Sequence, residues 1–186
     1  MKSVIKSILI PAFLTLGVFG SAIYISCNRD LCKTIVCANG GVCSLGSCTC
    51  PSGFEGTNCE TQTRLKFTGN WSVFEKGTAS LSAQYEVSID TVGTFDAYTY
   101  VTIKNFNNIF KSPVLAYVSA DQLIIPNQRQ QGKLIYGIGT ISSNVTYGQY
   151  GSISMRYLVQ DSLTLIVDDY GYNAATDFSD PSAWNK

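Results

Sequence analysis

Residues 151–170 read GSISMRYLVQDSLTLIVDDY, and the reading of this stretch decides the fold class. Ile153, Met155, Tyr157 and Val159 alternate with Ser152, Ser154, Arg156 and Gln160, the period of two expected of a strand with one buried and one solvated face. Asp161-Ser162 breaks the run, and a second apolar run follows at once from Leu163 to Tyr170. Strands joined by so short a turn are expected to be antiparallel neighbours.

The same grammar extends upstream. Apolar runs fall at Trp71 to Lys76, Ser82 to Asp90, Ala97 to Asn105, Pro113 to Ser119, Gln122 to Asn127 and Lys133 to Ser142, which with Gly151 to Gln160 and Leu163 to Tyr170 make eight. Their connections, such as Asp90-Thr91-Val92-Gly93 and Ala120-Asp121, are short turns, and no ten-residue helical pattern competes. The expectation is a mainly β domain over residues 68–180, an eight-stranded antiparallel up-and-down barrel, with a two-sheet sandwich as the alternative. Residues 61–67 read as a polar linker into it and residues 181–186 as a tail.

The first third of the chain is written differently. All seven cysteines lie before residue 60, and six of them fall in the order Cys32, Cys37, Cys43, Cys48, Cys50 and Cys59. A module of about thirty residues buries too little apolar surface to hold itself, so cross-links are expected there. Fifteen pairings of six cysteines are open to the sequence. Zinc is the rival reading of such a cluster, but the chain has no His and begins with an export signal.

That signal is Lys2 and Lys6 followed by an uncharged stretch from Ser7 to Ser26. A retained transmembrane anchor is the alternative. Cys27 is the cysteine left over from an even set, and an exported chain needs an outlet for it: a covalent modification, a free thiol or an intermolecular disulfide. Tyr24-Ile25-Ser26-Cys27 resembles a bacterial lipobox, with Tyr24 in place of the usual Leu. The resemblance implies removal of residues 1–26, lipidation of Cys27, a tether over residues 27–31 and attachment to a membrane.

The six-cysteine spacing, with the tail Cys48-Thr49-Cys50-Pro51-Ser52-Gly53-Phe54-Glu55-Gly56-Thr57-Asn58-Cys59, resembles an epidermal-growth-factor-like (EGF-like) module over residues 32–60. The resemblance implies the pairing Cys32–Cys43, Cys37–Cys48 and Cys50–Cys59, with a clipped central hairpin because only four residues separate Cys43 from Cys48. Calcium-binding members place acidic or amide residues before the first cysteine, as Asn28 and Asp30 stand here. Leu31 occupies the position of a Glu ligand and Ser44-Leu45-Gly46-Ser47 offers no carboxylate, so no metal is expected.

Phe67-Thr68-Gly69-Asn70-Trp71 is similar to the Gly-x-Trp that opens lipocalin-like barrels. That resemblance implies a barrel base built on Gly69 and Trp71, with a late-strand basic residue, here Arg156, packed across the indole. The mature chain as a whole resembles small lipoproteins of Bacteroidota, which join an EGF-like module to a β domain carrying G-x-W, Y-x-V-x-I, I-x-N-F, I-I-P-x-Q and G-x-G-T-I. Here these are Gly69 to Trp71, Tyr85 to Ile89, Ile103 to Phe106, Ile124 to Gln128 and Gly137 to Ile141. It implies a lipid-anchored place in the bacterial cell envelope, at the outer membrane. It also implies O-glycosylation at Asp-Ser/Thr-apolar sites, here Thr91 and Ser162.

Charge and residue types limit the chemistry. Thirteen basic and thirteen acidic residues cancel, which leaves no electrostatic case for nucleic acid. The absence of His removes the His-dependent triads. Asp168, Asp169, Asp177 and Asp180 leave a carboxylate-dependent glycan hydrolase as a minor alternative. The leading expectation is a non-enzymatic binding module without cofactor, the EGF-like unit serving as a stiff spacer. One version binds a small apolar ligand inside the barrel, lined by Tyr85, Ile89, Tyr98, Tyr100, Leu134, Tyr136 and Tyr157. The other contacts glycan or protein through the loops bearing Tyr147, Tyr150, Tyr170 and Tyr172.

Overall fold

A computed structural model describes residues 31–93, 98–142, 150–172 and 180–186. The export signal, Cys27, Asn28, Asp30, Tyr147 and Asp177 lie outside the described residues.

Three disulfides tie the small module in the pairing that the EGF-like resemblance implies: Cys32–Cys43, Cys37–Cys48 and Cys50–Cys59. The clipped hairpin consists of β1 (Val42–Ser44) and β2 (Ser47–Thr49), joined by Leu45 and Gly46. Both turn residues have positive φ, 50° and 85°, the requirement of a two-residue turn matched to strand twist. Gly41 has no room for a side chain, because a Cβ there would lie 2.7 Å from Cys59 Sγ.

Residues 61–67 do link the two modules, but as ordered structure. β4 (Thr61–Gln62) pairs with β3 (Phe54–Glu55), and Thr63–Lys66 form a single 3₁₀ turn. Phe67 then enters the barrel core fully buried. The module packs on the same end of the barrel: Phe54 meets Tyr98 at 4.8 Å between ring centroids, and Arg64 donates to the carbonyls of Val92 and Tyr100. Lys66, only 8 % exposed, bridges Glu55 of the small module at 2.9 Å and Asp121 of the barrel at 2.6 Å. Burial alone would lower its pKa, yet the hydrogen bonds to Asp121 and Glu55 outweigh that and raise it.

The barrel runs in sequence through β5 (Gly69–Glu75), β6 (Ala83–Thr91), β7 (Tyr100–Lys104), β8 (Val114–Ser119), β9 (Gln122–Gln130), β10 (Lys133–Ile141) and β11 (Ser152–Asp161). Each is antiparallel to the next. The closing strand differs from the expectation. Leu163 to Ile166 form an exposed loop, and β12 (Val167–Tyr170) pairs only with the far half of β11. The eighth barrel strand is β13 (Ser182–Asn185), in the stretch read as a tail; it pairs with β11 on one side and β5 on the other. Its signal is four residues long, but Trp184 is fully buried between Ile153 and Val73 in cross-strand register, which is what secures the closure.

The core is the barrel interior. Trp71, Ile89, Ile103, Phe106, Leu123, Ile135, Ile153, Met155, Tyr157 and Trp184 are fully buried, and burial of each large apolar side chain contributes roughly 1.5–3 kcal/mol. On β10 the inward positions are Ile135, Gly137, Gly139 and Ile141. The glycines face in because bulk from β11 crosses above them: a Cβ on Gly137 would fall on Tyr157 and 2.6 Å from the Arg156 carbonyl, and one on Gly139 would lie 2.6 Å from Met155 Sδ. Small residues on one wall thus make room for large ones from the next, as dense packing requires.

Candidate functional site

Four places on the barrel carry chemistry: its base, its mouth, a surface loop and a cleft on its outer wall. At the base, Trp71 donates from Nε1 to the Phe67 carbonyl at 2.7 Å. The cation over the indole is Lys186, with Nζ 4.7 Å from the ring centroid, and not Arg156. Arg156 stands on the outer face of β11, between buried Met155 and Tyr157, and donates to the Gly171 carbonyl at 3.1 Å. Gly69 has φ 108°, and a Cβ there would sit 3.0 Å from Lys186 Nζ, so the glycine of the Gly-x-Trp clears the path of the cation. Lys186 also donates to the Thr68 carbonyl, and burial lowers its pKa.

The mouth lies at the opposite end from the EGF-like module. The period of two that turns Trp71 and Val73 inward also turns Glu75 inward, where it is 8 % exposed. Oε1 accepts from the Tyr85 hydroxyl at 2.6 Å and Asn107 Nδ2 at 3.2 Å; Oε2 accepts from the Tyr157 hydroxyl at 2.8 Å and Ser182 Oγ at 2.6 Å. Ser182 Oγ in turn accepts from Trp184 Nε1. Asn107 also donates to the hydroxyls of Tyr157 and Tyr170, and the Tyr170 hydroxyl donates to Asp168 Oδ2 at 2.8 Å. Asn107 reaches this position because Asn105, Asn107 and Asn108 adopt the left-handed conformation that Asn tolerates, dipping Phe106 into the core.

Burial, with the Glu75 charge adding to it, pushes Tyr85 well above the ordinary phenol range. Burial does the same to Tyr157, joined by the charges of Tyr85 and Glu75, and pushes Tyr170 up to about 12. Three hydroxyls hold the Glu75 carboxylate at 2.6–2.8 Å, and Asn107, whose two amide hydrogens serve three acceptors, adds a longer contact at 3.2 Å. The mouth is therefore a satisfied plug, and no ion pair reaches Glu75 among the described residues.

Of the described acids near the C-terminus, Asp180 lines an open cleft of about 480 Å³ with Glu75, Asp168 lines one of about 260 Å³ with Asp161, and Asp168 and Asp169 both hold backbone amides. Asp168 Oδ1 accepts the Ala79 amide, while Asp169 Oδ1 accepts the Tyr172 amide at 2.7 Å. Together with the Thr78 hydroxyl bonded to the Asp169 amide, they strap the β5–β6 loop and the 170–172 turn to β12. Asp180 is exposed.

The tyrosines expected to line the interior divide. Tyr157 and Ile89 are inside, and Tyr85 is half-buried at the plug. Tyr98 is half-exposed at the module interface. Tyr100, Leu134 and Tyr136 occupy the alternate, outer phase of strands whose inner phase is Val101 and Ile103 or Ile135 and Gly137. Tyr170, expected on an exposed loop, is 3 % exposed and stacks on Tyr157 with centroids 4.3 Å apart. Of the other loop tyrosines, Tyr150 and Tyr172 are exposed. Thr91 is the exposed last residue of β6, and Ser162 sits in the turn after β11, its hydroxyl accepting from Arg129.

The loop after β11 presents Leu163, Leu165 and Ile166 to solvent. Its amides are held internally, those of Leu163 and Thr164 by the Asp161 carboxylate at 2.9 Å. These amides, Thr164 first, and the Lys133 ammonium hold the Asp161 pKa below its ordinary value.

On the outer wall, Tyr136 and Tyr172 meet edge to face with centroids 5.0 Å apart. They flank an open cleft of about 460 Å³ whose outer lining is completed by Ile124, Asn127 and Ile138. Sequence reasoning named both tyrosines but assigned Tyr136 to the interior. The inward glycines beside it are the signal that fixes the phase.

Among the described residues, no group of three or more His, Cys, Asp or Glu is placed to hold a metal ion, and no helix is long and apolar enough to cross a membrane. The Teneurin-like EGF domain family matches residues 35–62, which takes in the disulfide module from after Cys32 and the start of the linker and leaves the barrel unassigned. No curated protein and no solved structure matches the chain.

Proposed function

We propose that this chain is a lipid-anchored, non-enzymatic binding module of the bacterial cell envelope, held at the outer membrane through Cys27 and binding glycan or protein through the outside of its barrel. The observation that carries this reading is the packing of the barrel: inward positions from base to mouth are taken by side chains in contact with one another, Phe106 against Tyr157 at 4.7 Å and against Trp184 at 6.1 Å. A ligand carrier needs an unfilled interior. The EGF-like unit, clamped to the base by Phe54, Arg64 and Lys66, acts as a rigid spacer that presents the wall and the mouth. Cys27 supports the anchor, because the other six cysteines are consumed in disulfides.

Native mass spectrometry of the chain, extracted from the envelope of a Bacteroidota host in detergent, tests the reading. The expected mass is that of residues 27–186 plus acyl groups on Cys27, with no further bound molecule. A stoichiometric apolar adduct retained by the protein would replace the surface version with a carrier, and an unmodified Cys27 would remove the anchor.

A further inference from the structure

We propose that the Tyr136–Tyr172 cleft is a binding subsite for a neutral polysaccharide, an inference that rests on the surface-binding reading above and names its ligand class. Tyr172 is 43 % exposed, yet its backbone is fixed from two sides. Asp169, only 2 % exposed, accepts the Tyr172 amide at 2.7 Å, and Arg156 holds the preceding carbonyl of Gly171 at 3.1 Å. The ring itself is braced against Tyr136. An exposed aromatic side chain whose supporting shell includes a buried carboxylate and a guanidinium is organised before any ligand arrives, which lowers the entropic cost of binding.

The lining selects the chemistry. Ile124, Ile138 and the two tyrosines give flat apolar contact, Asn127 and the phenols give hydrogen bonds, and none of these residues carries a charge. No residue of this lining offers an anionic ligand a cation, the neighbouring Arg156, cross-strand from Ile138, being turned to the Gly171 carbonyl, and an acyl chain would leave the Asn127 amide without a partner. A pyranose ring has C–H faces that pack on the electron-rich face of an aromatic ring and hydroxyl edges that suit an amide. The size agrees: about 460 Å³ lies in the ~300–1,000 Å³ range of small-ligand clefts. A protein partner would instead need roughly 800 Å² of matched surface.

The strand register gives the subsite a continuation. Tyr100, Tyr117, Ile124 and Ile138 are successive cross-strand partners on the outer face, so an aromatic and aliphatic row runs from β7 to β10 into the cleft, with Arg156 of β11 as the next partner in register. Tyr100 and Tyr117 lie 6.2 Å apart along it. At ~4.8 Å per strand this row spans roughly 14 Å, the length of about three sugar units, which favours a polymer over a free monosaccharide.

Affinity electrophoresis of the intact chain through gels containing laminarin, mannan, xylan or dextran, with polygalacturonate as the acidic comparison, tests the proposal. The expected result is retardation by at least one neutral polymer, weakened about tenfold by Tyr172→Ala and by Asn127→Ala and retained by Tyr172→Phe. Asn127 is exposed, so its variant folds even if Tyr172→Ala does not; circular dichroism verifies both. Retardation by none of the four, by polygalacturonate alone, or equally in wild type and Asn127→Ala would overturn it, as would a cell-surface protein cross-link lost on Tyr172→Ala without any glycan binding. These failures leave the acylated Cys27 and the ligand-free interior untouched, so they are distinct from a failure of the parent reading.

Discussion

Replacing Glu75 by Gln keeps the shape of the plug and removes its logic. In the native barrel the two carboxylate oxygens accept four hydrogen bonds, from Tyr85, Asn107, Tyr157 and Ser182. With an amide, one of the two positions becomes a donor. On the Oε1 side it faces the Asn107 amide; on the Oε2 side it faces Tyr157, whose hydroxyl already accepts from Asn107. Hydroxyl rotation restores part of the network, so the loss is one to two bonds to a charged acceptor, each worth ~1.5–3 kcal/mol, and the expected destabilisation is about 2–4 kcal/mol. Glu75→Leu strands all four donors and should cost about as much as breaking a buried charge pair, ~3–5 kcal/mol. Urea unfolding reports this directly, because Trp71 and Trp184 both lie in the barrel core and their fluorescence follows it alone. A cycle with Tyr157→Phe should be non-additive by about 1 kcal/mol, since the two side chains share one bond. A Glu75→Gln barrel within about 0.5 kcal/mol of wild type, or an additive cycle, would refute the claim that this carboxylate holds the mouth closed.

The three plug phenols predict an alkaline limit: their folded pKa values lie above the unfolded value near 10, so their contribution is whole below pH ~10 and is lost as pH rises, by about 1.4 kcal/mol per pH unit for each phenol until its folded pKa is passed. Tyr170 stops contributing to that slope near 12, while Tyr85 and Tyr157 continue beyond it; urea midpoints measured from pH 9 to 12 should fall progressively, and a flat profile would contradict the burial of the plug. Gly137→Ala places a methyl group on Tyr157 and should cost about 1–3 kcal/mol or more in thermal or urea unfolding, whereas Gly132→Ala meets open space and carries only the strain of its positive φ. Reducing the three disulfides should unfold the EGF-like module and lower the barrel midpoint by a few degrees, as the Phe54–Tyr98 and Lys66–Glu55 contacts are lost; an unchanged midpoint by tryptophan fluorescence would mean that the modules do not support one another.

The period of two made the barrel legible, and cysteine spacing made the EGF-like module legible, because both are repeated signals. The single-residue decisions were harder. Leu163 to Ile166 is as apolar as any strand, but it follows a turn organised by Asp161 and Lys133 that holds the chain out of the sheet. Closure passed instead to Ser182–Asn185, too short to show a period, where Trp184 supplies the buried area. On β10 the phase runs one residue away from what large side chains suggest, because Gly137 and Gly139, not Leu134 and Tyr136, face inward to admit Tyr157 and Met155. Glu75 was visible in principle: Trp71, Val73 and Glu75 share a phase, and an acid on the inner phase of a strand announces a polar network.

The two ends of the barrel are finished by different physics, and the difference bears on where a ligand can bind. The base is apolar, sealed by Phe67 and Trp71 with Lys186 capping the indole, and the small module packs on that same end. The mouth is polar and its carboxylate is engaged, so a ligand that drew Glu75 away would leave the hydroxyls of Tyr85, Tyr157 and Ser182 without their acceptor. At ~1–3 kcal/mol for each buried group left unpaired, that displacement costs more than a weakly bound ligand returns. Binding on the wall requires no such rearrangement. Tyr172 is already held by Asp169 and Arg156, so a ligand there gains contact area without opening either end of the barrel.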